Sequence, residues 1–165
     1  MPRWRETQNK LHIFVDLLAF IPVRSISIRF MRCPRVVTLS PRGRPPSEFM
    51  REAHSTIASA FRAVEREEGL LSTSCPVLTA LQESIGHTQH LHEPTSHYVL
   101  AATLPTDASL EKLRSFVWER SDSSHTPLTF ISCVGEHSSG CDWMRDVGRK
   151  ALLEEDEGDV VLKVH

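Results

Sequence analysis

A histidine-rich segment, GHTQHLHEPTSH over residues 86–97, is the first stretch whose side chains could do chemistry together. Three of its imidazoles belong to His87, His90 and His92. Neutral imidazole binds zinc, copper or nickel, and short spacings allow one loop to provide two ligands. A solvated polar loop explains the same composition, and it is the favoured interpretation. The segment therefore offers candidate metal ligands, and no cofactor is predicted.

A second group of reactive side chains, CVGEHSSGC, contains Cys133, His137 and Cys141. It follows an apolar run that predicts a strand and precedes a predicted helix, which is where ligands bind in α/β sheets. A thiol at a helix start beside a histidine suits a nucleophile, and the three side chains could also join the histidines around a metal. However, no GxGxxG, Walker or CxxC pattern accompanies the group. A half-buried capping turn is the favoured alternative, so an enzyme is the less favoured reading.

Arginines in an extended N-terminal segment form the third candidate site. Arg42 and Arg44 lie in the loop SPRGRPP, and Arg32 and Arg35 precede it. The planar guanidinium group recognises phosphate, so these four side chains are candidate contacts to RNA or to an acidic partner. Few aromatic residues accompany them, which excludes a stacking platform for single-stranded nucleic acid.

The charge distribution supports a partner for this segment. Residues 1–51 hold ten Lys/Arg and three Asp/Glu, a net charge of +7, whereas residues 52–165 hold nine basic and eighteen acidic residues, a net of −9. A basic segment attracts phosphate or acidic protein surface. The alternative is that the two halves of the chain attract each other within one fold.

The elements that must position these residues follow from hydrophobic periodicity and turn signals. Ser47 is a plausible N-cap for the longest helix, and either Asp107 or Ser109 caps a later one. Gly86 is expected to end the third helix. The expected helices cover 8–20, 47–68, 74–86, 107–120 and 139–155, and the expected strands cover 23–30, 36–39, 98–104, 127–134 and 160–164.

These elements predict a single domain of the α/β or α+β class. The order β-α-β-α-β from residue 97 onward predicts neighbouring parallel strands. The expected architecture is a partly parallel sheet of four to five strands covered by three to four helices. Residues 1–46 are expected to form a basic N-terminal arm with a short helix and strand, and residues 47–165 the globular body.

The N-terminal composition also bears on location. Residues 1–44 contain nine Lys/Arg and two acids, which fits a mitochondrial presequence moderately well. The apolar run 11–23 contains His12 and Asp16 and falls short of the ~20 residues of a membrane span. We therefore expect no transmembrane segment and an intracellular, mitochondrial location.

Together these features favour a non-enzymatic accessory subunit docked into a large assembly. The expected host is a mitochondrial ribosome-like ribonucleoprotein or a respiratory-type complex, with other protein subunits and RNA phosphate as partners. The competing hypothesis is a small metal- or thiol-dependent enzyme that uses the Cys133–Cys141 turn.

Overall fold

The fold is taken from a computed structural model that describes residues 2–31, 33–68, 74–88, 95–101, 103–123, 128–132 and 142–148. Over these residues it contains five helices and four strands. In chain order they are α1 (Pro2–Leu18), β1 (Ile26–Phe30), β2 (Cys33–Leu39), α2 (Pro46–Glu68), α3 (Val77–Thr88), β3 (His97–Ala101), α4 (Leu110–Ser123), β4 (Leu128–Ser132) and α5 (Asp142–Gly148).

Helix α1 begins six residues before the predicted start at residue 8. The early turns are stabilised by Trp4, whose ring lies 4.4 Å from that of Phe61 and 6.2 Å from that of Phe30. This contact is between residues distant in sequence, so local periodicity did not indicate it. Leu11 and Val15, at i and i+4, are buried and define the inner face of the helix.

Strands β1 and β2 form an antiparallel hairpin, with Ile26 opposite Leu39 and Ile28 opposite Val37. The register shifts between Arg29 and Phe30, where a β-bulge accommodates extra residues of β2. Alternate side chains of β1 are half-buried, as the period-2 pattern predicts. The inner face of the hairpin packs against α2.

Helix α2 is the longest element and lies within one residue of the predicted range. Its inner face carries Phe49, Ala53, Ile57 and Phe61, none more than 3% exposed. These side chains form the first core together with Leu11, Val15 and Leu39. The N-terminal segment is therefore packed along α2.

The expectation of one sheet with four to five strands is not confirmed. Among the described residues, β1 pairs only with β2, and β3 pairs with β4 in a second two-stranded sheet. The β3–β4 pairing is parallel, with His97 opposite Leu128 and Ala101 opposite Ser132, as the β-α-β order predicts. The predicted strand 160–164 lies outside the described residues.

A second core lies between the β3–β4 sheet and helices α3, α4 and α5. Val77, Leu113, Trp143 and Val147 are each at most 2% exposed there. The indole N–H of Trp143 donates to the carbonyl of Thr103 (3.2 Å), and that of Trp118 donates to the carbonyl of Val147 (3.0 Å). Met31, between β1 and β2, packs against this second core, and Leu100 of β3 packs against the first core. The two cores are therefore in contact.

Helix α3 runs through Gly86 to Thr88, so the prediction that Gly86 ends it is wrong. Thr88 makes that extension possible, because its hydroxyl donates to the carbonyls of Ser84 (3.2 Å) and Ile85 (3.0 Å). At its start, α3 is capped by a residue from another segment. Asp107 accepts hydrogen bonds from the backbone N–H of Thr79 (2.7 Å) and of Leu78 (3.3 Å). Ser109 caps α4 instead, accepting from the N–H of Lys112 (3.2 Å).

The Asp107 cap leads to a pH-dependent prediction. Burial alone would raise the pKa of Asp107, but hydrogen bonds from Thr79 and Leu78 outweigh it and hold the pKa below its ordinary value of 3.8. The carboxylate therefore stabilises the fold fully above pH 3.8, and this contribution is lost as pH falls through the depressed folded-state pKa. Asp107→Ala is expected to cost about 1 kcal/mol at neutral pH, measured by urea unfolding.

The matched control is Asp107→Asn, which keeps an oxygen acceptor without the charge. It is expected to retain most of the neutral-pH stability while losing the pH dependence. A cost of Asp107→Ala that does not decrease anywhere as the pH is lowered below 3.8 would contradict the cap.

Candidate docking surface

The basic N-terminal segment lies against the acidic residues of α2. Arg35 pairs with Glu67, and Arg44 pairs with Glu52. The thiol of Cys33 also approaches Glu67, at 3.7 Å from Oε2. Two of the four arginines predicted to contact RNA or a partner are thus used within the chain. This agrees with the alternative that the two halves attract each other.

The other two arginines of the predicted set are Arg42 and Arg32. Arg42 is exposed, and no ion pair joins it to any described residue. It lies next to Gly43, whose φ of 78° belongs to the left-handed region that favours glycine. The tight turn, closed by the N–H of Arg44 and the carbonyl of Pro41 (3.2 Å), presents Arg42 to solvent. Arg32 lies outside the described residues.

A histidine pair joins α1 to α2. The rings of His12 and His54 stack with centroids 4.3 Å apart, and His54 Nε2 lies 2.7 Å from Asp16 Oδ1. Burial and, second, the neighbouring His54 lower the pKa of His12 against the opposing effect of Asp16. Because the two rings are stacked and nearly parallel, their nitrogens do not converge on one point where a metal ion could bind. Over the residues that the structure describes, no group of three or more His, Cys, Asp or Glu side chains could hold a metal.

The histidine-rich segment is described only at its two ends. His87 lies in the last turn of α3 and its Nδ1 donates to the carbonyl of Glu83 (2.7 Å). His97 is 7% exposed in β3, with its two ring nitrogens each 3.2 Å from the hydroxyls of Ser84 and Thr88. These hydrogen bonds satisfy a buried imidazole, as expected of a core histidine. His90 and His92 lie outside the described residues.

The thiol candidate is not tested. Cys133, His137 and Cys141 all lie outside the described residues, so their mutual geometry stays a prediction. The two cysteines that are described, Cys33 and Cys75, are buried, and neither is in a disulfide.

The prominent surface feature is a row of large apolar side chains on the outer face of α1 and the turn after it. We call it the apolar row: Ile13 (62% exposed), Leu17 (62%), Phe20 (72%) and Ile21 (51%). Ile13 and Leu17, at i and i+4, lie on one side of α1, and Phe20 and Ile21 follow in the turn after the helix. Leu11 and Val15 on the opposite side are buried against α2. Helix α1 therefore has two apolar faces, of which the chain covers one.

An open depression of about 580 Å³ lies at the C-terminal end of the apolar row. The residues that line it include Phe20, Ile21, Pro41 and two arginines, Arg24 and Arg42. Apolar and basic residues therefore both contribute to the lining of the depression.

The sequence contains a signal for the apolar row, because the apolar residues of 11–23 fall on two faces of a helix and not on one. At helical spacing, Leu11, Phe14, Val15, Leu18 and Ala19 fall on one face. The remaining apolar residues of 11–23 fall on the opposite face, a pattern typical of a helix covered on both sides.

Within the part of the chain that the structure describes, no helix is both long and apolar enough to cross a membrane. Comparison with protein-family models, curated proteins and solved structures finds no match to this chain.

Proposed function

We propose that the protein is a non-enzymatic accessory subunit that docks into a larger assembly through the apolar row. The observation that carries this proposal is that α1 is apolar on two opposite faces, of which α2 covers only one. Four large apolar side chains, each more than half exposed, cost free energy in water. A contiguous exposed apolar patch of this kind is typical of an interaction site.

The host that we propose is mitochondrial and therefore intracellular, and the support for it is the Arg-rich, acid-poor composition of residues 1–44. We propose that this segment is retained in the mature protein, because α1 packs on α2 in the first core. Between the two candidate hosts, a respiratory-type complex is favoured over a ribosome-like particle. RNA binding calls for several unpaired arginines. Arg35 and Arg44 are engaged with α2, which leaves Arg42 as the described member of the predicted RNA-contacting set without an internal ion pair.

The test is native-gel migration and affinity capture of the tagged full-length chain from its own cells. We expect the wild-type chain to migrate with a large complex. We expect the double variant Leu17→Ser/Phe20→Ser to leave that complex while keeping its thermal midpoint, because both side chains are exposed. Val36→Ser, at a 42% exposed position of β2, is the matched control and is expected to stay bound.

Two outcomes would contradict the proposal. In one, the wild-type chain migrates as a monomer in native extracts. In the other, it stays in the complex when both residues of the apolar row are changed. Release by moderate salt together with RNA in the captured fraction would instead favour the ribosome-like host.

A further inference from the structure

We infer that the stacked imidazoles of His12 and His54 form a pH-sensitive contact, which holds α1 on α2 at neutral pH and weakens in mild acid. The rings come from different helices and are nearly parallel, with an interplanar angle of 11° and centroids 4.3 Å apart. The inference concerns the chain by itself and does not depend on the proposed docking function. It identifies a condition under which the helix that carries the apolar row stays in place.

The two histidines differ in their ability to carry a positive charge. His54 Nε2 lies 2.7 Å from Asp16 Oδ1, so a carboxylate of α1 offers His54 both an acceptor and an opposite charge. His12 Nε2 is buried and has no hydrogen-bond partner among the described residues. In the imidazolium form this nitrogen carries a proton, which would leave a buried, unpaired N–H on a charged ring. The packed pair therefore requires a neutral His12.

The surroundings of His12 also disfavour its charged form. Burial is the largest influence and lowers the pKa of His12 from its ordinary value of 6.5, His54 lowers it further, and Asp16 opposes both. Asp16 is already bonded to His54. Within one helical turn of either histidine along α1 and α2, the other charged side chain is the exposed Arg51, whose positive charge gives no support to an imidazolium. Protonation of both rings would also place two like charges in contact.

The direction of the pH dependence follows from these surroundings. In the unfolded chain His12 binds a proton near its ordinary pKa of 6.5, whereas in the folded chain it does so only at lower pH. The unfolded state therefore binds more protons in this interval. Stability from this contact is fully present above pH 6.5 and is lost as pH falls from 6.5 toward the lowered folded-state pKa. Because the contact joins α1 to α2, we expect the loss to show first as local opening of α1.

The experiment is hydrogen exchange of the purified full-length chain at about pH 7.5 and about pH 5.5, with rates corrected for the intrinsic effect of pH on exchange. In the wild type we expect α1 to lose protection at the lower pH relative to α4, which belongs to the second core. The thermal midpoint is expected to fall by about 2 °C or more. His12→Phe keeps a ring that can stack but cannot titrate, and it is expected to remove most of both changes. NMR titration of the His12 ring in the wild type is expected to give a pKa below 6.5.

The matched control is His87→Phe, the same change at an exposed histidine in the last turn of α3. It is expected to keep the wild-type loss of α1 protection in acid. Three results would each overturn the inference: unchanged α1 protection in the wild type at the lower pH, a His12 ring that titrates at 6.5 or above, or an equal acid response in the wild type and in His12→Phe. The first two use the wild-type chain, so they decide the matter even if His12→Phe does not fold. None involves a partner, so failure here leaves the docking function standing.

Discussion

Deletion of residues 1–45 is expected to leave a chain that does not fold cooperatively. Helix α2 loses its cover on one whole side, because Leu11, Val15 and Leu39 are the residues that bury Phe49, Ile57 and Phe61. Exposing three large side chains costs about 5–9 kcal/mol, which is comparable to the total stability of an ordinary domain. Urea unfolding followed by circular dichroism, with size-exclusion chromatography, will measure the loss.

A pair of point variants separates this effect from simple shortening of the chain. Val15→Asp places a charge at a position with 0% exposure, whereas Leu17→Asp places the same charge at a position with 62% exposure. We expect severe destabilisation from the first and a change within about 0.5 kcal/mol from the second. A truncated chain with an unchanged unfolding midpoint would show that the N-terminal segment is not part of the core.

This prediction also determines how docking can be tested. Removing the N-terminal segment would abolish any interaction of the protein, whether or not that segment touches the partner. Point variants on the outer face of α1 avoid the problem, because the outer and inner faces of one helix carry different side chains. For this reason the test of docking uses Leu17 and Phe20.

Local sequence signals predicted the helices well where one face dominates. Helix α2 was predicted within one residue because Ala53, Ile57 and Phe61 repeat at helical spacing over a long stretch. Its first buried residue is Phe49, four positions before Ala53 and therefore on the same face of the helix. The parallel pairing of β3 and β4 also followed from the order of elements.

Long-range contacts account for what the sequence did not reveal. Asp107 and Ser109 were alternative caps for α4; Ser109 caps it, and Asp107 instead caps α3 across 28 positions of sequence. The first turns of α1 depend on Trp4 meeting Phe61, and the ion pairs of Arg35 and Arg44 depend on the position of α2. Charge patterns identify residues that need a partner, but only the packed structure determines whether that partner is internal.

Replacement of Phe61 by alanine is expected to be among the most damaging single changes in the first core. Phe61 is 3% exposed, and its ring contacts those of Trp4 (4.4 Å) and Phe30 (5.3 Å, edge to face). It therefore joins α1, the β1–β2 hairpin and α2 at one point. Phe→Ala in a core costs about 3–5 kcal/mol, which lowers Tm by roughly 6–20 °C in a chain of this size. Thermal and urea unfolding measure both quantities.

The control for Phe61→Ala is Phe20→Ala, the same change at a position that is 72% exposed. There we expect the free energy of unfolding to change by less than about 0.5 kcal/mol.

A double-mutant cycle of Phe61→Ala with Trp4→Ala isolates the contact between the two aromatic rings, and a coupling of about 0.5–1.5 kcal/mol is expected. Trp4 is informative here because its indole nitrogen is buried and has no hydrogen-bond partner among the described residues. Trp4→Phe removes that unsatisfied group while keeping a ring, so it should cost much less than Trp4→Ala. Equal costs for the two Trp4 variants would mean that ring packing does not hold α1 on α2, and the aromatic account of the first core would be wrong.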